Sequence, residues 1–229
     1  MDADLVRTIS IFALPLVFAI TLHEAAHGYV AKHFGDLTAY AQGRVSLNPL
    51  RHVDLVGTLI VPLVIVTLSH FAGSSILFGW AKPVPVNFGN LRNPKRDMRW
   101  VAAAGPGANF AMALFWAMTL KLGAIAPDAY FAQPMIWMGA AGIVVNVALA
   151  VLNLMPLLPL DGGRIVVSLL PPRLAYRFSL LEPYGMVILL VLLFTGVLGL
   201  VLWPIIVRLV AAVGALIQFP QLLGLISSL

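Results

Sequence analysis

The chain has 229 residues, of which 61% are hydrophobic and only 10% charged, with a mean hydropathy of +0.97. A soluble domain of this length is nearer half apolar and a quarter charged. The composition therefore excludes a water-soluble enzyme and indicates an integral, multi-span helical membrane protein. With no cysteine, disulfides and thiolate metal sites are excluded too. The net charge of +5 comes from basic residues in short loops, which fits the positive-inside effect rather than nucleic-acid binding.

Taken in chain order, the apolar runs cover roughly 5–31, 54–78, 100–122, 133–160 and 184–219. They are continuous rather than alternating, which argues against a membrane β-barrel. The N-terminus carries Asp2 and Asp4 against a single Arg7, and the first run reaches His23 without an Ala-x-Ala-like cleavage site, so it reads as a retained span and not a signal peptide. The last run is too long for one span and is interrupted by Gly196, Gly199 and Pro204. It reads as two short spans or as one span plus an interfacial helix. The expectation is an all-α polytopic protein of about five to six transmembrane helices, a single membrane-embedded domain over 1–229. Its core lies at about 5–165 and its C-terminal helices at about 184–219.

The polar connectors lie at 32–53, 79–99, 121–132 and 161–183. Two stretches within them read as extended. Gly43-Arg44-Val45-Ser46-Leu47-Asn48-Pro49 alternates polar and apolar residues and ends on an Asn-Pro turn signal. Lys82-Pro83-Val84-Pro85-Val86-Asn87 holds two prolines, which preclude helix and favour an edge strand or polyproline conformation. Short β-like strands are expected there.

The residues with chemistry begin late in the first span. His23 and His27 are four apart, about 40° around a helix axis and so on one face. Two imidazoles so placed chelate one Zn²⁺, and Glu24 stands where a base takes a proton from the water on that metal. Ionisable groups this deep in an apolar span are costly and are functional candidates by default. A catalytic zinc needs a third protein ligand. His33 is a poor choice: Val30 occupies the position where the metzincin pattern needs a glycine, and on a continuing helix His33 lies about 120° from His27. Asp161 is better. It follows Asn153-Leu154-Met155-Pro156-Leu157-Leu158-Pro159-Leu160, where two prolines break the helix, and broken helices at membrane depth line cavities.

In order along the chain, His23-Glu24-Ala25-Ala26-His27, then Ala104-Gly105-Pro106-Gly107-Ala108-Asn109, then Asn153-x-x-Pro156-x-x-x-Leu160-Asp161-Gly162 resembles the site-2 protease family of intramembrane zinc metalloproteases. The loop from Gly79 to Asn87 resembles that of the small bacterial subgroup, and no stretch is long enough for the PDZ domain that some members carry. The resemblance implies one zinc per chain, held by His23, His27 and Asp161, with Glu24 as catalytic base. It also implies a transmembrane substrate, unwound and paired by strand addition at 43–49 and 82–87. Asn146 and Asn153, seven apart, share a helix face. Asn153 is a candidate oxyanion donor or substrate clamp, whereas for Asn146 and Asn109 interhelical hydrogen bonding is an equal reading. The small residues of 102–108 read as a packing surface. The rival reading, a non-proteolytic metal-binding protein or transporter, would show polar groups in corresponding positions of two halves, and this chain does not.

Topology follows from charge. If every run crossed the membrane, His27 and Asp161 would fall on opposite faces and share no metal. Making 54–78 re-entrant, with Gly57, Pro62 and Gly73 as its breaks, brings them together. With that run spanning, Arg7, Lys82, Arg92, Lys95, Arg96, Arg99, Arg164, Arg173 and Arg177 oppose Lys32, Arg44, Arg51 and Lys121. With it re-entrant, only Arg7 and Lys121 stand apart from the rest of this set, a stronger positive-inside signal. The active site then faces the cytoplasm of a plasma membrane and the N-terminus lies outside. A topology reporter fused near residue 90 should report the cytoplasm; a reporter found outside contradicts this arrangement.

Overall fold

A computed structural model describes residues 3–60, 81–227 and 229. Helix α1, Ala3–His33, holds 31 residues. At 1.5 Å per residue it is about 46 Å long, more than one crossing of a hydrocarbon core of roughly 30 Å requires. After a short α2, Thr38–Ala41, and a long connection, α3 runs over Pro94–Ile125 and α4 over Ala132–Asn153. Then come α5 (Asp161–Leu169), α6 (Pro172–Ser179), α7 (Glu182–Phe194), α8 (Val197–Leu216) and α9 (Leu222–Ile226).

The centre of the protein is the packing of α1, α3 and α4 on one another. Their shared faces are built from small residues, among them Ala19, Ala25 and Ala31 of α1, Ala102, Ala113 and Ala117 of α3, and Ala140, Ala141 and Ala150 of α4. Lipid is as apolar as leucine, so helices in a bilayer gain most by bringing backbones close, which small residues permit. The approach is closest where a Cβ on Gly142 would lie 2.1 Å from the Trp116 ring and one on Gly139 2.8 Å from the Leu120 amide nitrogen. Helix α8 packs against the outside of α4.

Among the described residues, four helices are long and apolar enough to cross a membrane, beginning at Val6, Pro94, Ala132 and Val197. The pair α6 and α7, bent by 60°, makes a fifth if it is one span. The expected count was five to six. In the run 184–219 only Gly196 breaks the helix: its φ of 76° is left-handed and separates α7 from α8, whereas Pro204 lies inside α8. The interior prolines Pro15 and Pro106 are likewise absorbed within long helices.

The expected β-like strands do not form: among the described residues there is no strand. Pro83 and Pro85 lack the N–H groups that a ladder needs. The two extended stretches are joined by a side chain instead, with Arg44 Nη2 donating to the Lys82 carbonyl at 2.9 Å and the Pro83 carbonyl at 3.3 Å. The proposed re-entrant run 54–78 falls mostly outside the described residues, as do Pro62, His70 and Gly73. The ends of that connection are described. The Arg92 amide donates to the Phe34 carbonyl (2.9 Å) and the Lys82 amide to the His52 carbonyl (2.9 Å). The chain leaving α1 and the chain entering α3 therefore meet at one end of α1. His52 is buried and donates from Nε2 to the Ser46 carbonyl (2.8 Å), and Asp54 accepts from the Gly57 amide (2.6 Å). Both bonds lie within the connection itself.

Asp36 ties that connection down. Its carboxylate accepts from the Thr38 amide (3.0 Å) and hydroxyl (2.5 Å), from the Asn87 amide (2.7 Å) and from Asn90 Nδ2 (3.3 Å). Burial pushes the carboxyl upward, but the Thr38 and Asn87 donors outweigh it and hold Asp36 below the usual carboxylate range.

Candidate functional site

Helix α1 presents His23 and His27 on one face, as their spacing requires, with their Nε2 atoms 3.1 Å apart. Asp161, the first residue of α5, brings its Oδ2 to 3.3 Å from each of them. The three side chains are 10%, 11% and 15% exposed, so the group is all but closed to solvent.

Asp161 reaches this position because the chain turns tightly after α4. The first turn of α5 lies directly on that turn. A Cβ on Gly162 would stand 2.2 Å from the Leu154 carbonyl oxygen, and one on Gly163 2.6 Å from the Leu158 nitrogen. The pair of glycines after Asp161 is thus a condition of the carboxylate's placement.

The hydrogen bonds around the imidazoles decide their tautomers. His27 Nδ1 lies 2.7 Å from the Val101 carbonyl, which can only accept, so Nδ1 carries a proton and, in the neutral ring, Nε2 a lone pair. His23 Nδ1 lies 2.6 Å from Asn109 Oδ1. Asn109 is fully buried, and its Nδ2 is committed to the Ala19 carbonyl (3.2 Å) and to Asn146 Oδ1 (3.0 Å). Asn146 is oriented in turn by donating to the Gly142 carbonyl (2.9 Å). Asn109 therefore presents an oxygen, His23 donates to it, and His23 Nε2 also carries a lone pair. Asp161 Oδ2 is buried with no hydrogen-bond donor. With both imidazoles neutral, as a metal requires of them, three acceptor atoms thus converge.

Such a cluster fits a cation. Tetrahedral zinc with bonds of about 2.0–2.1 Å sets its ligand atoms roughly 3.3 Å apart, against the separations of 3.1, 3.3 and 3.3 Å found here. Two nitrogens and a carboxylate oxygen are a zinc donor set. His23, His27 and Asp161 are the residues that could hold a metal. Gly105 of α3 keeps the space beside them open: a Cβ there would lie 2.4 Å from His27 Nε2 and 2.6 Å from His23 Nε2.

Glu24 is half-buried beside this group, and its Oε2 accepts from the Val84 amide at 2.7 Å. His33 ends α1 with its ring edge-on to Phe34 and outside the cluster, in keeping with its rejection as a ligand. Asn153 donates from Nδ2 to the Leu149 carbonyl (3.0 Å), so in this conformation its donor is spent within α4. The interhelical hydrogen bond read for Asn109 and Asn146 is present, from α3 to α4, but three contributions to the site itself went unread. Asn109 and the Val101 carbonyl aim the imidazoles, and Gly105 leaves room at their nitrogens. The one available signal was a buried asparagine at the end of the small-residue stretch.

The chain is 37% identical over 194 residues, 83% of each chain, to YwhC of Bacillus subtilis, which is named as a candidate zinc metalloprotease. It is 29% identical over 208 residues to Rip2 of Mycolicibacterium smegmatis, named in the same way, covering 86% of this chain and 74% of that one. With Rip3 of Mycobacterium tuberculosis, also so named, it shares 30% identity over 155 residues, 67% of this chain but 29% of the longer relative. No family model matches the chain. No solved structure matches it.

Gly105→Ala should cut bound metal at least tenfold, because the added methyl occupies the space at both Nε2 atoms. The helix itself gains about 1 kcal/mol in propensity from that change. Metal analysis of the purified variant, alongside its circular dichroism, checks this; a folded variant with full metal content contradicts it.

Proposed function

The chain belongs to the site-2 protease family of zinc metalloproteases, and we propose that it hydrolyses peptide bonds in or near the transmembrane segments of other membrane proteins. The observation that carries this reading is the convergence of His23 Nε2, His27 Nε2 and Asp161 Oδ2 within a helix bundle of membrane-crossing length, with Glu24 adjacent.

When bound, zinc supplies the Lewis acidity that activates water near neutral pH and polarises the scissile carbonyl. The protein's own groups do the rest. Asn109 and Val101 hold the two imidazoles in the tautomer that leaves Nε2 free to ligate, and such outer partners sharpen both affinity and orientation. Glu24 accepts the proton of the attacking water and passes it to the leaving amine. The Val84 amide keeps Oε2 in place meanwhile. The near-complete burial of the ligands excludes bulk water and strengthens each of these interactions.

A transmembrane substrate bonds its carbonyls internally, so it must unwind before attack. The partly exposed stretch 43–49 and the extended stretch 82–87 are where it would pair by strand addition. The Lys82 and Pro83 carbonyls already accept from Arg44, so pairing along the second stretch falls to its later residues. Asn153 would serve as clamp or oxyanion donor after releasing the Leu149 carbonyl. The site belongs on the cytoplasmic side of a plasma membrane, as the distribution of basic residues argues.

Purified protein should cleave a single-span substrate in proteoliposomes, and a chelator should abolish the cleavage. Glu24→Gln should lower kcat by about 10²–10⁴ while keeping its zinc, whereas Asp161→Ala should lose both. Cleavage at the wild-type rate by Glu24→Gln contradicts the assignment of the base.

A further inference from the structure

The Val84 amide that holds Glu24 is itself held. Pro83 C=O and Val84 N–H are two ends of one planar trans peptide unit, so fixing the carbonyl direction fixes the amide direction. Arg44 Nη2 binds that carbonyl (3.3 Å) and the preceding one, of Lys82 (2.9 Å). The amide end meets Glu24 Oε2 at 2.7 Å. A charged donor on the carbonyl also polarises the peptide and strengthens its N–H as a donor.

Arg44 is well placed for this. Gly43, at a φ of 63°, turns the chain out of α2, and the Arg44 amide donates to the Ala39 carbonyl (2.9 Å). The Val84 side chain is buried against α1, where Gly28 leaves room: a Cβ there would lie 3.3 Å from Val84 Cγ1 and 2.9 Å from Val45 Cγ2. The flanking prolines offer no N–H, so neither can replace Val84 as the donor. We propose that Arg44 is a positioning residue for the reaction, setting the Glu24 carboxylate through the Pro83–Val84 peptide unit. This rests on the reading of Glu24 as the base.

The test uses the full chain in proteoliposomes with a single-span substrate, and compares wild type with Arg44→Gln, Arg44→Lys and Glu24→Gln for kcat, KM and zinc per chain. Arg44→Gln should lower kcat roughly 10- to 100-fold, the cost of a misplaced catalytic group, with KM within about twofold and zinc unchanged. One nitrogen reaches both carbonyls here, and an ammonium can do the same, so Arg44→Lys should recover kcat to within about threefold. Wild-type kcat in Arg44→Gln with Glu24→Gln inactive overturns this inference alone. Zinc loss in Arg44→Gln, or a zinc-loaded Arg44→Lys that turns over no faster than Arg44→Gln, overturns it as well. Full activity in Glu24→Gln overturns the base reading itself, and this inference with it.

Discussion

Two imidazole nitrogens and a carboxylate oxygen standing 3.1–3.3 Å apart repel one another unless a metal ion or a shared proton lies among them. In an apolar bundle there is little water to relieve that repulsion. Much of the rest of the structure follows from holding these three atoms together. The imidazole rings need donors' partners on their far sides, which Val101 and Asn109 supply. Asn109 needs its own orientation, which Asn146 supplies from α4. The three helices that pack most closely are those joined by this chain of bonds, and the small residues between them let the bonds close.

The same requirement governs the course of the chain. Asp161 can meet α1 only if the connection between α1 and α3 begins and ends at one end of α1. The Phe34–Arg92 and Asp36–Asn87 bonds secure that. It can come close enough only if the turn after α4 packs directly under the first turn of α5, hence Gly162 and Gly163. The substrate side is built differently. Residues 82–87 lie against α1 as an extended segment with few donors of its own, anchored by Arg44, Asp36 and the main chain of the first connection. A segment fixed by side chains can hold its carbonyls in place without closing into a sheet that would fill the substrate's position.

The helical, membrane-embedded class, the shared face of His23 and His27 and the helix break before Asp161 were legible in the sequence, because each rests on local information. Composition decides the class, a four-residue spacing decides a helix face, and two prolines mark the break before Asp161. The bonds of Asn109 and the Val101 carbonyl to the imidazoles and the room left by Gly105 were not legible, because they depend on how α3 is rotated against α1, and spacing within one helix says nothing of that. Alternation at 43–49 and 82–87 suggested strands, yet a ladder needs donors at both partners, and Pro83 and Pro85 remove them. In the last apolar run the three candidate breakers looked alike. Only Gly196 adopts a backbone conformation that a helix cannot absorb, while Pro204 keeps a helical one and is carried within α8.

The central claim is that this buried group is a zinc site made of two histidines and one aspartate. Zinc K-edge X-ray absorption on the purified full-length protein tests it most directly. The account predicts a shell of nitrogen and oxygen at about 2.0–2.1 Å, with the multiple scattering of two imidazoles. A shell with one imidazole or none, or a folded protein that takes up no zinc, would contradict it.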